Sequence, residues 1–419
     1  MRLSHFVSSL LGYALLASTS AAAGENWPDY RGPSEDGHTS EGTTLPTEWS
    51  ETENVTWKTE IKGKAWSSPV IWGDQIWMTN ADEAGTRLSV VCVDKNTGKV
   101  IHDKVVQKVA EPQFCHAFNS HASPSPVLEE GRVYITFGAP WTGCLDAESG
   151  EVLWERADFE CNHFRGPGSS PLVVGDLLYL NYDGSDFQYI VAMNKKTGET
   201  VWKTDRSVDF KDVDEKTGKI AADGDWRKAY STPRIMEVDG KSTLLSLGSM
   251  AFYAYDPKTG EEVWKTPFQP NHSGALRPLI GNGLIFIPTG SGGEVYAIKP
   301  GGEVAWRFKR VNPRRASPIL LGDLLFMVDD GGVAACLDAK TGEEVWMDRI
   351  GGNFSASMIY ADGKIWCFDE DGKSTVIEAG REFKIVAQNE LDAGCMGSPA
   401  VSGNALFVRT RTHLYRIEE

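Results

Sequence analysis

The stretch Cys336-Leu-Asp338-Ala-Lys-Thr341-Gly342-Glu-Glu-Val-Trp346 decides the fold. A short apolar run ends at Asp338, a tight turn follows in which Gly342 can take the positive φ that a side chain resists, and a returning strand delivers Trp346. Asp338 and Thr341 flank the turn, where carboxylate and hydroxyl side chains bond free backbone amides. Five further copies stand at residues 92–102, 144–154, 192–202, 254–264 and, one residue shorter, 297–306. His102 takes the aromatic slot in the first, and the others end on Trp154, Trp202, Trp264 and Trp306. A unit that recurs this way is a structural repeat.

Its second half follows each tryptophan. Ser68-Pro69, Ser125-Pro126, Ser170-Pro171, Thr232-Pro233, Arg277-Pro278, Ser317-Pro318, Ser357-Met358 and Ser398-Pro399 each open an apolar run, then a Gly/Asp turn and a second apolar run. The starts fall about 40 to 60 residues apart, room for four short strands and their turns and for little helix. The chain is therefore expected to be all-β, an eight-bladed propeller of four-stranded antiparallel blades. The eighth unit stops at Leu414-Tyr415-Arg416-Ile417 without a returning strand, while Val55-Thr-Trp57-Lys58-Thr59 has no unit before it. The orphan first strand should complete the last blade, closing the ring without an unpaired sheet edge. Trp57, Trp154, Trp202, Trp264, Trp306 and Trp346 then occupy one equivalent position and read as packing between blades.

Outward from the repeats, Arg2 and the apolar run from Phe6 to Ala17 precede Ala21-Ala22-Ala23. This predicts a cleavable signal peptide over residues 1–23, with no cysteine at the cleavage site to carry lipid. Residues 24–52, with Trp27-Pro28-Asp29-Tyr30-Arg31-Gly32-Pro33, read as an irregular lead-in lying across the ring and anchored by its aromatics. The propeller is assigned to residues 53–419, in a secreted or periplasmic monomer without a membrane span. Residues 204–229 read as a surface hairpin whose acidic side chains are solvated. A formal charge of −16 argues against nucleic acid or an anionic membrane as partner. Of seven cysteines, Cys92, Cys144, Cys336 and Cys367 read as small core residues. Cys115, Cys161 and Cys395 fall in loops, and a Cys115–Cys161 bridge between neighbouring blades stays open as an alternative.

In a propeller, the loops from each tryptophan strand to the next Ser-Pro emerge on one face, around the channel. Here they carry four histidines and six arginines on a protein that is acidic elsewhere. His116, Asn119, His121, His163, Arg165, Arg227, His272, Arg277, Arg314 and Arg315 are the candidate ligand-binding residues. Such a cluster predicts an anionic small molecule or a carboxylate-bearing partner protein at the mouth. A zinc site from His116, His121 and His163 has no recognised ligand spacing, so no metal is assigned, and no residue is assigned as catalytic.

The tryptophan turns and Ser-Pro starts resemble the repeats of the quinoprotein dehydrogenase superfamily, the eight-bladed pyrroloquinoline-quinone-type propellers, over roughly residues 57–417. Trp27-Pro-Asp-Tyr-Arg-Gly-Pro33 and Arg165-Gly-Pro-Gly168 are most similar to secreted, planctomycete-type members with these repeats. The chain is also similar to the propeller lipoprotein of the bacterial outer-membrane protein assembly machine. The dehydrogenase resemblance implies a quinone clamped by two adjacent bonded cysteines, and calcium held by Glu, Asn and Asp. Here no two cysteines are adjacent, although an arginine-rich mouth is compatible with the tricarboxylate quinone. The assembly resemblance lacks its lipid-bearing cysteine. The expectation is a binding scaffold working through the channel mouth, with a quinone-dependent dehydrogenase of small alcohols or sugars as the alternative.

Overall fold

In the computed structural model, which describes residues 25–268 and 274–419, each repeat turn is built as its sequence requires. Asp338 Oδ1 accepts the amides of Lys340 and Thr341, both at 3.0 Å, and Gly342 turns back at φ +74°. Asp94, Asp146 and Asp256 cap their turns in the same way. The expected signal peptide and His272 lie outside the described residues.

The tryptophan at the end of each repeat explains the glycine in the next. Trp57, Trp154, Trp202, Trp306 and Trp346 donate their indole N–H to carbonyls of Lys95, Lys195, Pro257, Ala339 and Gly380 in the following blade. Each ring from Trp57 to Trp306 also lies against the turn glycine of that blade. A Cβ on Gly260 would sit 2.4 Å from the Trp202 ring, and one on Gly342 2.6 Å from Trp306. These turns therefore need glycine twice, for the positive φ and for the close approach. His102 does the same work with a smaller ring, donating from Nε2 to Glu148 O at 3.0 Å above Gly150.

Eight four-stranded antiparallel sheets result. Blades 1 to 7 span residues 70–108, 127–156, 172–205, 234–267, 279–308, 319–349 and 359–390 in chain order. Blade 8 takes three strands from residues 400–417 and its outermost strand, Val55–Glu60, from the other end of the chain. Thr59 stands opposite Leu414, and Lys58 opposite Tyr415, so the ring is closed by its own ends. Apolar side chains of adjacent sheets interdigitate in the interfaces, with Cys92, Cys144, Cys336 and Cys367 fully buried there.

The Ser-Pro positions form a second ring, around the channel. The Ser68 amide donates to Ser125 Oγ, Ser125 to Ser170 Oγ and Ser170 to the Thr232 hydroxyl. Ser317 donates to Ser357 Oγ, Ser357 to Ser398 Oγ, and Ser398 back to Ser68 Oγ. Every hydroxyl but that of Ser317 thus satisfies an amide of the neighbouring blade. The ring breaks at blade 5, where Arg277 replaces the hydroxyl residue.

That arginine explains where the lead-in goes. Residues 27–39 thread along the innermost strands, with Trp27 bridged to Ile71 and His38 to Tyr360, and Pro28 O accepting the Leu128 amide. Trp27 anchors this plug as expected, but buried charges anchor it as well. Arg31 donates to Met358 O and Pro318 O, and Asp29 pairs with Arg277 at 2.6 Å. In the insertion, Val213 pairs with Ile220 as a hairpin. Its acidic residues are not all solvated, because Asp212 is held by Arg227 at 2.6 Å with its side chain 9% exposed. All seven cysteines are free thiols. The Cys161 thiol faces His163 Nδ1 at 3.7 Å, while Cys115 Sγ faces the carbonyl of Arg165.

Candidate functional site: the axial mouth

A cavity of about 350 Å³ opens where the eight inter-blade loops converge. Every loop contributes to its wall: in chain order Trp66, Phe118, Arg165, Tyr230, Ala275, Arg315, Ser355 and Met396. The site thus follows from closure, since only a ring brings residues some 330 positions apart to one axis.

Five of the ten residues predicted from sequence line this cavity: His116, Asn119, Arg165, Arg314 and Arg315. His116 is exposed and accepts the Phe118 amide at Nδ1, which folds the loop tip into a turn. Asn119 donates to the carbonyls of Arg165 and Pro167, tying two loops together. Arg165 sits 3.5 Å from Asp225 with its side chain 44% exposed, and Arg314 sits 3.4 Å from Asp330 at 53% exposed. Both separations exceed the 2.7–2.9 Å of a strong charged hydrogen bond, so both guanidinium groups are loosely held. Arg315 is bound more tightly, at 2.8 Å from Asp330 and 3.4 Å from Glu370. The mouth is therefore not the bare cationic funnel its loop composition suggests, because carboxylates stand behind the arginines.

Four of the others are placed elsewhere. Arg277 is fixed to Asp29 beneath the mouth, and Arg227 to Asp212 in the insertion. The His121 ring lies against Gly85 of blade 1, and burial lowers its pKa. His163 is buried, accepts the Ala139 amide at 3.0 Å and packs 6.2 Å from the Tyr182 ring. Burial, opposed by the Asp186 carboxylate, pulls its pKa down to about 4. The folded protein keeps this imidazole neutral, while in the unfolded chain it takes a proton near pH 6.5. Its contribution to stability is present above pH 6.5 and is lost as pH falls through about 4, up to about 3 kcal/mol. Urea titrations between pH 7 and pH 4 should show wild type losing about that much more stability than His163→Gln.

Among the wall residues that the sequence does not single out are Phe118, Tyr230 and Asp330. Phe118 and Tyr230 are aromatics in otherwise polar loops, and their mixed surroundings gave no period to read. Asp330 comes from a turn within blade 6, Asp329-Asp330-Gly331-Gly332, and not from an inter-blade loop. That turn joins the second and third strands of the blade and opens on the same face as the inter-blade loops.

The donor set does not fit the quinone and calcium pair. No two cysteines are adjacent, and among the described residues no three His, Cys, Asp or Glu side chains group closely enough to hold a metal ion.

The fold and its axial mouth define an eight-bladed propeller of the quinoprotein type, with the cofactor clamp missing. The chain belongs to the family described as outer membrane protein assembly factor BamB, whose profile matches residues 89–211 and 207–419. It is 21% identical over 303 residues to BamB of Shewanella oneidensis, covering 68% of this chain and 71% of that one. It is 25% identical over 259 residues to a quinoprotein ethanol dehydrogenase of Pseudomonas putida, covering 53% of this chain. The match spans only 37% of the dehydrogenase's length. Among solved structures, a europium-containing methanol dehydrogenase superposes with a TM-score of 0.66 over 92% of this chain and 89% of its own, at 13% identity. BamB of Moraxella catarrhalis superposes with a TM-score of 0.58 over 87% of this chain and 99% of its own, also at 13% identity. At that identity these two speak for the fold alone. No helix among the described residues is long and apolar enough to cross a membrane.

Proposed function

We propose that this propeller is an extracytoplasmic binding scaffold, and that its axial mouth holds an anionic group carried by a small molecule or by a partner protein. The observation that carries this reading is the convergence of three arginines from two separate loops on one cavity walled by Trp66, Phe118 and Tyr230. Aromatic walls accept an apolar body, while Arg165 and Arg314 keep donors for a carboxylate or phosphate. The relatives named as assembly factors favour a binding role. The lack of adjacent cysteines in the sequence, and of a metal-holding carboxylate group among the described residues, weighs against the dehydrogenase reading.

Citrate serves as the probe. A hydrogen bond to a charged group contributes about 1.5–3 kcal/mol, so Arg165→Ala and Arg314→Ala should each weaken binding about tenfold or more by calorimetry. The effect should shrink as salt rises. Unchanged citrate affinity in both variants would defeat the reading. So would a saturable absorbance shift on adding the quinone and calcium together with dye-linked turnover of an alcohol.

A further inference from the structure

The loop of residues 109–126 joins blade 1 to blade 2, and the loop of residues 309–318 joins blade 5 to blade 6. They lie four steps apart in a ring of eight, on opposite walls of the channel. Yet they touch, for the Arg315 guanidinium lies 4.2 Å from the centre of the Phe118 ring. The two side chains together span the channel mouth.

The tethers of the first loop show which side it belongs to. Lys64 Nζ donates to Ala117 O at 2.9 Å and Trp66 Nε1 to Phe118 O at 2.8 Å, both from the loop on one side. Asn119 Nδ2 donates to Arg165 O at 2.9 Å, in the loop on the other side. These near-wall bonds hold the backbone of Ala117 and Phe118 and the side chain of Asn119, so only the phenyl ring reaches across to Arg315. His116, Ala117 and Phe118 are all exposed, so little apolar burial holds the phenyl ring in place. A cation held over an aromatic face at an exposed position is a weak tie, readily released. The guanidinium it holds belongs to the cavity wall.

We propose that Phe118 is a latch over the axial mouth, and that an anionic ligand entering the cavity must displace it from Arg315. The latch rests on the reading of the mouth as a binding site for its purpose, but not for its existence. With Phe118 seated, the phenyl ring narrows the entrance and occupies one face of a ligand-binding guanidinium. With Phe118 released, Arg315 turns to the ligand while Asp330 still positions it. The aromatic face matters as well as the bulk, so Phe118→Leu should behave much as Phe118→Ala.

Hydrogen exchange of residues 112–123 in the free protein tests the latch without any ligand. Phe118→Ala, Phe118→Leu and Arg315→Met are each expected to raise exchange of this segment at least threefold, with the blade strands unchanged. Stopped-flow mixing with citrate should then show Phe118→Ala associating at least threefold faster than wild type. Unchanged exchange in all three variants overturns the latch, whether or not citrate binds. Faster exchange with unchanged citrate association overturns the gating role. Faster exchange with no citrate binding by any variant supports the latch and counts against the mouth as an anion site.

Discussion

Trp202→Ala is expected to destabilise the propeller by about 3–5 kcal/mol, read from the shift of the denaturant midpoint at constant slope. The indole is 8% exposed, lies against the turn glycine of blade 4 and stacks at an angle 6.0 Å from Tyr179. Truncation would open a cavity between blades 3 and 4 that their rigid sheets cannot collapse to fill. It would also leave Pro257 O with only the Tyr179 hydroxyl of its two donors. Trp202→Phe restores most of the packing but not the N–H, so it should cost less, with the missing hydrogen bond contributing about 1 kcal/mol. A loss below about 1 kcal/mol for the alanine variant would show that the indole is not a principal contact between these blades. The indole bond and the glycine contact recur together at Trp57, Trp154 and Trp306, which is why one residue type repeats through the sequence.

The repeat was legible because one local device performs a long-range task. The Asp-x-x-Thr-Gly turn and the tryptophan nine or ten residues after the repeat begins are near neighbours in sequence, and the indole then reaches the next copy of the same turn. The fold class follows from counting such copies, and the eight Ser-Pro-type starts add the blade number and with it the pairing of Val55–Glu60 with His413–Ile417. The mouth was half legible for a different reason. Knowing that eight loops share a face does not say which side chains turn inward, and this depends on local bonds with no sequence period. His163 turns inward between blades 2 and 3, where it accepts the Ala139 amide from a turn of blade 2 and packs against Tyr182 of blade 3. Arg227 turns toward Asp212, fifteen residues back in the insertion. The loss of a hydroxyl at position 277 was visible as Arg277-Pro278 among seven Ser, Thr or Pro-like starts. Its partner was not, because Asp29 lies in an irregular segment 248 residues away.

That pair gives the second large effect: Asp29→Ala should cost about 3–5 kcal/mol, although no strand of the propeller is touched. Asp29 Oδ1 accepts from both the Arg31 amide at 2.9 Å and Arg277 Nη1 at 2.6 Å, with the two charged side chains 7% and 1% exposed. Burial alone would lower the Arg277 pKa, but the Asp29 carboxylate, with Glu35 and Tyr30, reverses the direction and raises it. The guanidinium therefore stays charged, and removing Asp29 leaves that charge in the channel without its counterion. The loss is the cost of an uncompensated buried charge, and not the net contribution of the pair, which desolvation makes small. Two measurements separate these quantities. In the single variant, the denaturant midpoint should fall and amide exchange over residues 27–39 should rise, since the plug loses its anchor at blade 5. In the double variant Asp29→Leu with Arg277→Met, no charge is stranded and most of the stability should return. If the double variant is as unstable as the single one, the pair holds the plug by geometry that apolar side chains do not reproduce. If the single variant costs less than about 1 kcal/mol, water reaches Arg277 and the channel is not sealed beneath the mouth.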